Sequence, residues 1–261
     1  MEKREQIAHL AQSKEEEMLL VRVCEKMRTA EERNIPAASC FLTEREQALA
    51  ARLLSGQSVR FFGGAAGAER AMCCFVPDYL EESWLYSEDS PCAAVRAEFR
   101  AEDAPNHRDF LGSLMGCGIK RETVGDIYVS SEHSDCLVTR EMLPFVLQNL
   151  TSAGHAKLRL SELPLSELRI PEQRVRLIRD TVSSLRLDGV VSSGFSVSRG
   201  KAAEAIAAGR VELNAFICLK GDKPVTEGDR ISLRGLGKMR LKEVGGTTKK
   251  GRISILIERY L

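Results

Sequence analysis

Residues 185–214 read LRLDGVVSSGFSVSRGKAAEAIAAGRVELN. LRLDGVVSSG has the pattern of a short helix. Ser198 then precedes an alanine-rich run with Ala202, Ala205 and Ile206 on one face, which is a helix N-cap followed by an amphipathic body. VELN closes the stretch as a strand. Yet Arg199 and Lys201 occupy the first turn of the second helix. Backbone N–H groups and the macrodipole make that end partly positive, so stability alone favours Asp or Glu there, and a capping box favours Glu or Gln where Lys201 stands. Each cation costs a few tenths of a kcal/mol while the site is empty. A phosphate bound at the helix start reverses that sign. The reading requires Arg186, Arg199 and Lys201 to point together without being tied up by carboxylates.

On the C-terminal side, RISLR (230–234) puts Ile231 and Leu233 on one face and Arg230, Ser232 and Arg234 on the other, by the two-residue period of strands. MRLK sends Arg240 and Lys242 outward in the same way. ISILI brings Ile253, Ile255 and Ile257 together, and GGTTKKGR is a basic hairpin tip before it. On the N-terminal side VRLIRDTVSS reads as a strand. Residues 169–261 hold 19 Lys and Arg against 10 Asp and Glu, a net +9, so the first 168 residues carry −8 of the overall +1. Such asymmetry points to a polyanion-binding module joined to an acidic one.

Residues 2–33 and 43–55 are helical in pattern, and SVRFF (58–62) and AMCCFV (71–76) flank the glycine loop GGAAGAER as two short strands. That loop lacks the lysine and hydroxyl of a phosphate-binding loop and reads better as a plain turn. From Pro91 the pattern alternates: CAAVRAEFR strand, NHRDFLGSLMGCG helix, DIYVS and SDCLV strands, REMLPFVLQNLTSAG helix, AKLRLSEL strand. This is the β-α-β-β-α-β order of a ferredoxin-like domain. RNA-recognition domains with that topology stack bases on strand aromatics, and the strands here offer Phe99 and Tyr128 alone. A loose linker, LPLSELRIPEQ (163–173), leads to the basic third.

Eight cysteines, at 24, 40, 73, 74, 92, 117, 136 and 218, include no C-x-x-C pair and read as reduced, mostly buried residues. His9, His107, His133 and His155 lie far apart, without the spacing of a metal site or a triad. We expect no metal, no cofactor and no small-molecule substrate. With no run near the roughly 18 apolar residues of a membrane span and a charged N-terminus, a cytoplasmic protein is expected.

The 185–214 stretch with VTEGDRISLRG after it resembles the RNA-binding domain named for small-subunit ribosomal protein S-four, with RLD opening its first helix and SR-x-K-A its second. Asn214-Ala215 departs from the usual Asn-Gly, which bears on the tightness of that turn. Further matches in RDFLGSLMGCGIKRETVGDI, GDRISLRGLGK and TTKKGR resemble the bacterial YlmH family over most of the chain. The resemblance implies an α+β protein with a helical N-terminal domain (1–76, with a short β-hairpin), a ferredoxin-like, RNA-recognition-motif-like domain (77–165) and an S-four-like RNA-binding domain (166–261, core 184–243). It also implies ribosome-associated quality control of stalled nascent chains, with ribosomal RNA of the large subunit, peptidyl-tRNA and quality-control factors as partners. Arg186 and Arg199 are the positions that it marks for RNA contact. The charge pattern adds Lys201, Arg210, Arg234, Lys238, Arg240, Lys249 and Lys250.

Two other readings compete. Pseudouridine synthases carry a similar domain and a catalytic aspartate in a motif close to RLDxxTSG. Here Val191 stands in place of the Thr and Ser193 in place of the Gly, and no large catalytic domain follows, so Asp188 reads as a cap or salt-bridge partner and the protein as a non-enzyme. Alternatively, the first two domains are a docking platform for a cell-division or rescue partner.

Overall fold

The computed structural model describes residues 3–171 and 174–261. Glu2, in the first expected helix, and Glu172 and Gln173, at the end of the expected linker, lie outside the described residues. The chain divides into two compact units, Met1–Pro171 and Glu172–Leu261.

In the first unit α1 (Lys3–Leu10) and α2 (Lys14–Arg33) pack together. The Ser13 hydroxyl caps α2 by accepting from Glu16 N at 3.1 Å, and Asn34 ends it with a left-handed φ of 51°. β1 (Ala37–Leu42) follows, then α3 (Glu44–Leu53), started by a Thr43/Glu46 capping box. β2 (Val59–Phe62) and β3 (Ala71–Phe75) form the expected pair, but the sheet has three strands in the order β1-β3-β2. Nothing local marks the strand at 37–42, since AASCFL has neither β-branched residues nor alternation. Burial of Phe41 and Leu42 supplies what local propensity lacks. The glycine loop is a pinned turn: Asp126 accepts from Glu69 N at 2.7 Å and Arg70 N at 3.1 Å.

The same unit continues with β4 (Cys92–Glu98), α4 (His107–Gly116), β5 (Val124–Val129), β6 (His133–Thr139) and α5 (Leu143–Asn149). β7 (Ser152–Ala153), β8 (Ala156–Lys157) and β9 (Arg159–Leu163) complete it. The four-stranded sheet runs β5-β6-β4-β9 with antiparallel neighbours, which is the ferredoxin-like order. The helix expected through residue 154 stops five residues earlier, since Gly154 adopts φ 58° and turns a two-stranded hairpin, β7-β8. One face of the sheet, with Ala93, Val95, Ala97 and Val138, packs on Phe110, Leu114 and Val146 of the helices. The other, with Cys92, Ala94 and Leu137, is buried against Phe41, Phe62, Met72 and Leu85. On that second face Arg96 binds the fully buried Asp135 through Nε at 2.8 Å and Nη2 at 2.7 Å. Asp135 also accepts from Arg169 N at 3.1 Å, and Leu165 is buried, so the first part of the linker is fastened to the sheet rather than loose.

The second unit holds β10 (Val175–Val182), α6 (Leu187–Phe195), α7 (Arg199–Ala207), β11 (Val211–Leu213), β12 (Phe216–Ile217), β13 (Arg230–Leu233), β14 (Gly237–Thr247) and β15 (Ile253–Tyr260). Its sheet runs β10-β15-β14-β13-β11-β12, antiparallel throughout. The inward residues read from the alternation, Ile231, Leu233, Met239, Leu241, Ile255 and Ile257, form one core with Val190, Val191, Ala202 and Ile206 of the helices. The Asn214-Ala215 turn forms with both residues left-handed, at φ 52° and 66°. Asn214 is held by Asp229 and by Arg230 N, whereas Ala215 bears the strain of a Cβ in a region suited to glycine.

Candidate nucleic-acid interface

The starts of α6 and α7 meet at Asp188. Arg186, the residue before α6, donates to its carboxylate through Nε at 3.3 Å and Nη2 at 2.8 Å, and Arg199, the first residue of α7, donates through Nη2 at 3.1 Å. Asp188 is buried while the two arginine side chains remain 42% and 53% exposed. Two cations share the one Asp188 carboxylate beside the exposed Lys201, and the more distant Asp222 also acts on Arg186. Burial pushes the Asp188 carboxyl up, but the hydrogen bonds and charges of Arg186 and Arg199 outweigh it and hold the group below the usual carboxylate range. The same bonds push the Arg186 guanidinium up.

This corrects one premise of the sequence reading, because the two arginines are engaged by an internal carboxylate. They nevertheless converge. Arg186 spends Nε and Nη2 on Asp188 and Arg199 spends Nη2, while both side chains stay partly exposed, so the carboxylate fixes their orientation without neutralising the pair. A second premise is also narrowed. The α6 start is not an open ring of donors, since Leu187 N bonds Lys223 O and Asp188 N bonds Gly221 O, both at 2.9 Å. At α7 the Ser198 hydroxyl accepts from Lys201 N at 3.3 Å, as the N-cap reading requires.

The nine cations fall into separate places. Arg186, Arg199 and Lys201 gather at the helix starts. Lys249 and Lys250 sit on the β14-β15 tip, whose Arg252 donates to Thr181 Oγ1 at 2.9 Å and to Thr181 O, fastening the tip to the end of β10. Arg210 lies beyond the other end of α7, about 13 Å of helix away, with its carbonyl bonded to Arg234 N at 2.9 Å. Lys238 and Arg240 flank the core residue Met239 and so project from the sheet face opposite the helices. The period of two told which residues point out of the core but not which side of the molecule they reach. Arg252 escaped the sequence reading because nothing local predicts its bond to a strand 71 residues earlier.

In the first unit the two aromatics read as strand residues, Phe99 and Tyr128, are not offered to bases. Phe99 packs into the helix-side core, its ring centroid 5.8 Å from that of Phe110, and the half-buried Tyr128 donates its hydroxyl to Asp126 Oδ2 at 3.3 Å. Burial also pushes the thiols of Cys73, Cys92 and Cys136 up to about 12, as expected of packing rather than reactive cysteines. Among the described residues no group of three His, Cys, Asp or Glu side chains is placed to hold a metal ion, and no helix is long and apolar enough to cross a membrane.

Residues 103–167 match the family YlmH_RBD, described as "Putative RNA-binding domain in YlmH", and residues 185–231 match the S4 domain family. A relative from Bacillus subtilis (strain 168), "Ribosome-associated protein quality control protein P2", is 34% identical over 252 residues, covering 94% of this chain and 96% of its own length. A solved structure, "Cell division protein ylmH from Streptococcus pneumoniae", aligns with a TM-score of 0.50 at 18% identity, over 61% of this chain and 97% of that one. At that identity the likeness concerns the fold.

Proposed function

Since the chain belongs to the YlmH family and ends in an S4 domain, we propose that it is an RNA-binding protein that associates with the large ribosomal subunit and acts in quality control of stalled nascent chains. The name of its Bacillus subtilis relative supports the ribosomal role. The observation that carries RNA binding is the convergence of Arg186 and Arg199 on Asp188 at the starts of two helices, with Lys201 beside them, in the basic third of the chain. Such an arrangement suits a phosphate backbone: the guanidiniums are oriented before the ligand arrives, so less side-chain entropy is lost on binding. The contact surface is then the helix side of the second unit, continued by Lys249 and Lys250. Arg210, Arg234, Lys238 and Arg240 serve other contacts or solubility.

The mechanism is stabilisation by mass action. A protein that binds only the subunit carrying peptidyl-tRNA prolongs that state in proportion to its affinity. Co-sedimentation with bacterial large subunits, with and without peptidyl-tRNA, tests it. Binding is expected to prefer the occupied subunit, to weaken steeply with salt and to be lost in Arg199→Ala. Undiminished binding after deletion of residues 174–261 would favour a docking platform in the first unit, and a modified uridine in RNA incubated with the protein would favour the enzyme.

A further inference from the structure

Helix α6 contains two glycines with opposite explanations. At Gly194 a Cβ would collide with the Met239 sulfur, so the core excludes any side chain there. At Gly189 the nearest heavy atom to a Cβ is Ser184 O, 3.8 Å away, an ordinary contact. Nothing in the fold requires glycine at that position, and glycine weakens a helix relative to alanine. Gly189 lines a cleft of about 440 Å³ bounded by the end of β10, the outer side of α6, the start of α7 and the β14-β15 tip. Arg199 stands on one wall and Arg252 on another, from elements far apart in sequence. Between them the lining is hydroxyl-rich, and Ser183, Ser184 and Ser196 have no side-chain hydrogen bond among the described residues. The wall carboxylate, Asp180, is already engaged by the Ser193 hydroxyl at 2.6 Å and by Thr181 N at 2.7 Å.

We propose that this cleft receives one ribose-phosphate unit of an RNA strand, its phosphate toward Arg199 and Arg252 and its ribose hydroxyls toward the serines, with Gly189 left bare so that the sugar can lie against α6. The inference rests on the RNA-binding reading above and adds to it a place and a chemical preference. The volume is within the roughly 300–1,000 Å³ of small-ligand sites and exceeds what a lone phosphate fills. Free hydroxyls facing a sugar discriminate by the 2′-hydroxyl, which separates RNA from DNA. Arg199, with only Nη2 on Asp188, keeps further donors for a phosphodiester, and Arg252, whose Nε and Nη2 are held by Thr181, adds Nη1 and its positive charge from a different element.

The test uses the full chain with an RNA hairpin and its all-2′-deoxy counterpart as probes. The unaltered protein should prefer the RNA. Gly189→Ala should melt at or above the wild-type temperature, while Gly189→Leu, which fills the cleft, should lose about tenfold or more in RNA affinity, the scale of one good contact, together with the preference for RNA. Equal binding of both probes by wild type, a destabilised Gly189→Ala, or a Gly189→Leu protein that binds like wild type would each overturn the cleft. Should Gly189→Leu not fold, Arg252→Gln decides by the same two readouts. Loss of RNA binding in Lys201→Ala with no effect of cleft variants would sink this inference and leave the functional reading standing, whereas wild-type protein that binds neither probe nor ribosomal subunits would sink the reading itself.

Discussion

Arg199 Nη2 lies 3.1 Å from Asp188 Oδ1, joining the first turn of one helix to the first turn of another across eleven positions of sequence. Because Arg186 holds the other oxygen at 2.8 Å, a single buried carboxylate orients both guanidiniums. Asp188→Asn therefore sets two effects against each other. It raises the net charge by one, which alone would tighten RNA binding, and it releases both arginines. Orientation is expected to win, with affinity for structured RNA falling by about threefold to tenfold in filter binding at fixed salt. Tighter binding would mean that charge alone matters.

The same carboxylate makes stability depend on pH. Its folded value lies below the unfolded one near 3.9, so its contribution is complete well above that value and disappears as pH falls through the folded value. The gap in thermal midpoint between wild type and Asp188→Asn should hold steady from about pH 7 to about pH 5 and close below about pH 4. A gap that persists unchanged to pH 3 would contradict the pairing.

Position relative to the sheet separates the cations in solution. Lys201→Ala should reduce the slope of log affinity against log salt by about one, as loss of a phosphate contact does. Arg240→Ala, on the face away from the helices, should leave the slope unchanged. Equal losses from both variants would require RNA to wrap the whole unit.

In the first unit the Arg96–Asp135 pair is closed off, with Asp135 fully buried and the arginine side chain 14% exposed. Asp135→Ala leaves the Arg96 guanidinium with the Glu167 carbonyl in place of its carboxylate and frees Arg169 N, so a loss of about 3 kcal/mol is expected from the urea midpoint. A loss below about 1 kcal/mol would show the site to be wetter than its geometry implies.

Ala215 gives a prediction of the opposite sign. With φ at 66° its methyl group is strained, and Ala215→Gly should stabilise the protein by about 0.5–1 kcal/mol despite the added freedom of the unfolded chain. An unaltered or lowered denaturation midpoint would remove strain as the account of this turn.

Sequence periodicity located the second unit well because its strands alternate cleanly, as in Ile231-Ser232-Leu233 and Met239-Arg240-Leu241, and because Ser198 caps a helix by a local bond. It failed where distance in sequence decides. The small-residue strand at Ala37–Leu42 exists through its pairing with β3, and the fastening of Arg169 to Asp135 spans 34 positions. The candidate interface was legible in part for the same reason. Arg186 and Arg199 follow from helix starts, whereas the shared carboxylate between them, the sealing of α6 by residues 221–223 and the separation of Arg240 from Lys201 are properties of the folded chain.

The pairing of β10 with β15 places Val175 opposite Tyr260, and Leu261 N bonds Arg174 O at 3.0 Å. The chain thus comes into its second unit and leaves it at one corner. A circular permutant that joins those two points with a short loop and opens the chain at the Lys249-Lys250 tip would preserve the ladder, and tension applied between the same points would unzip it rung by rung rather than shear it all at once.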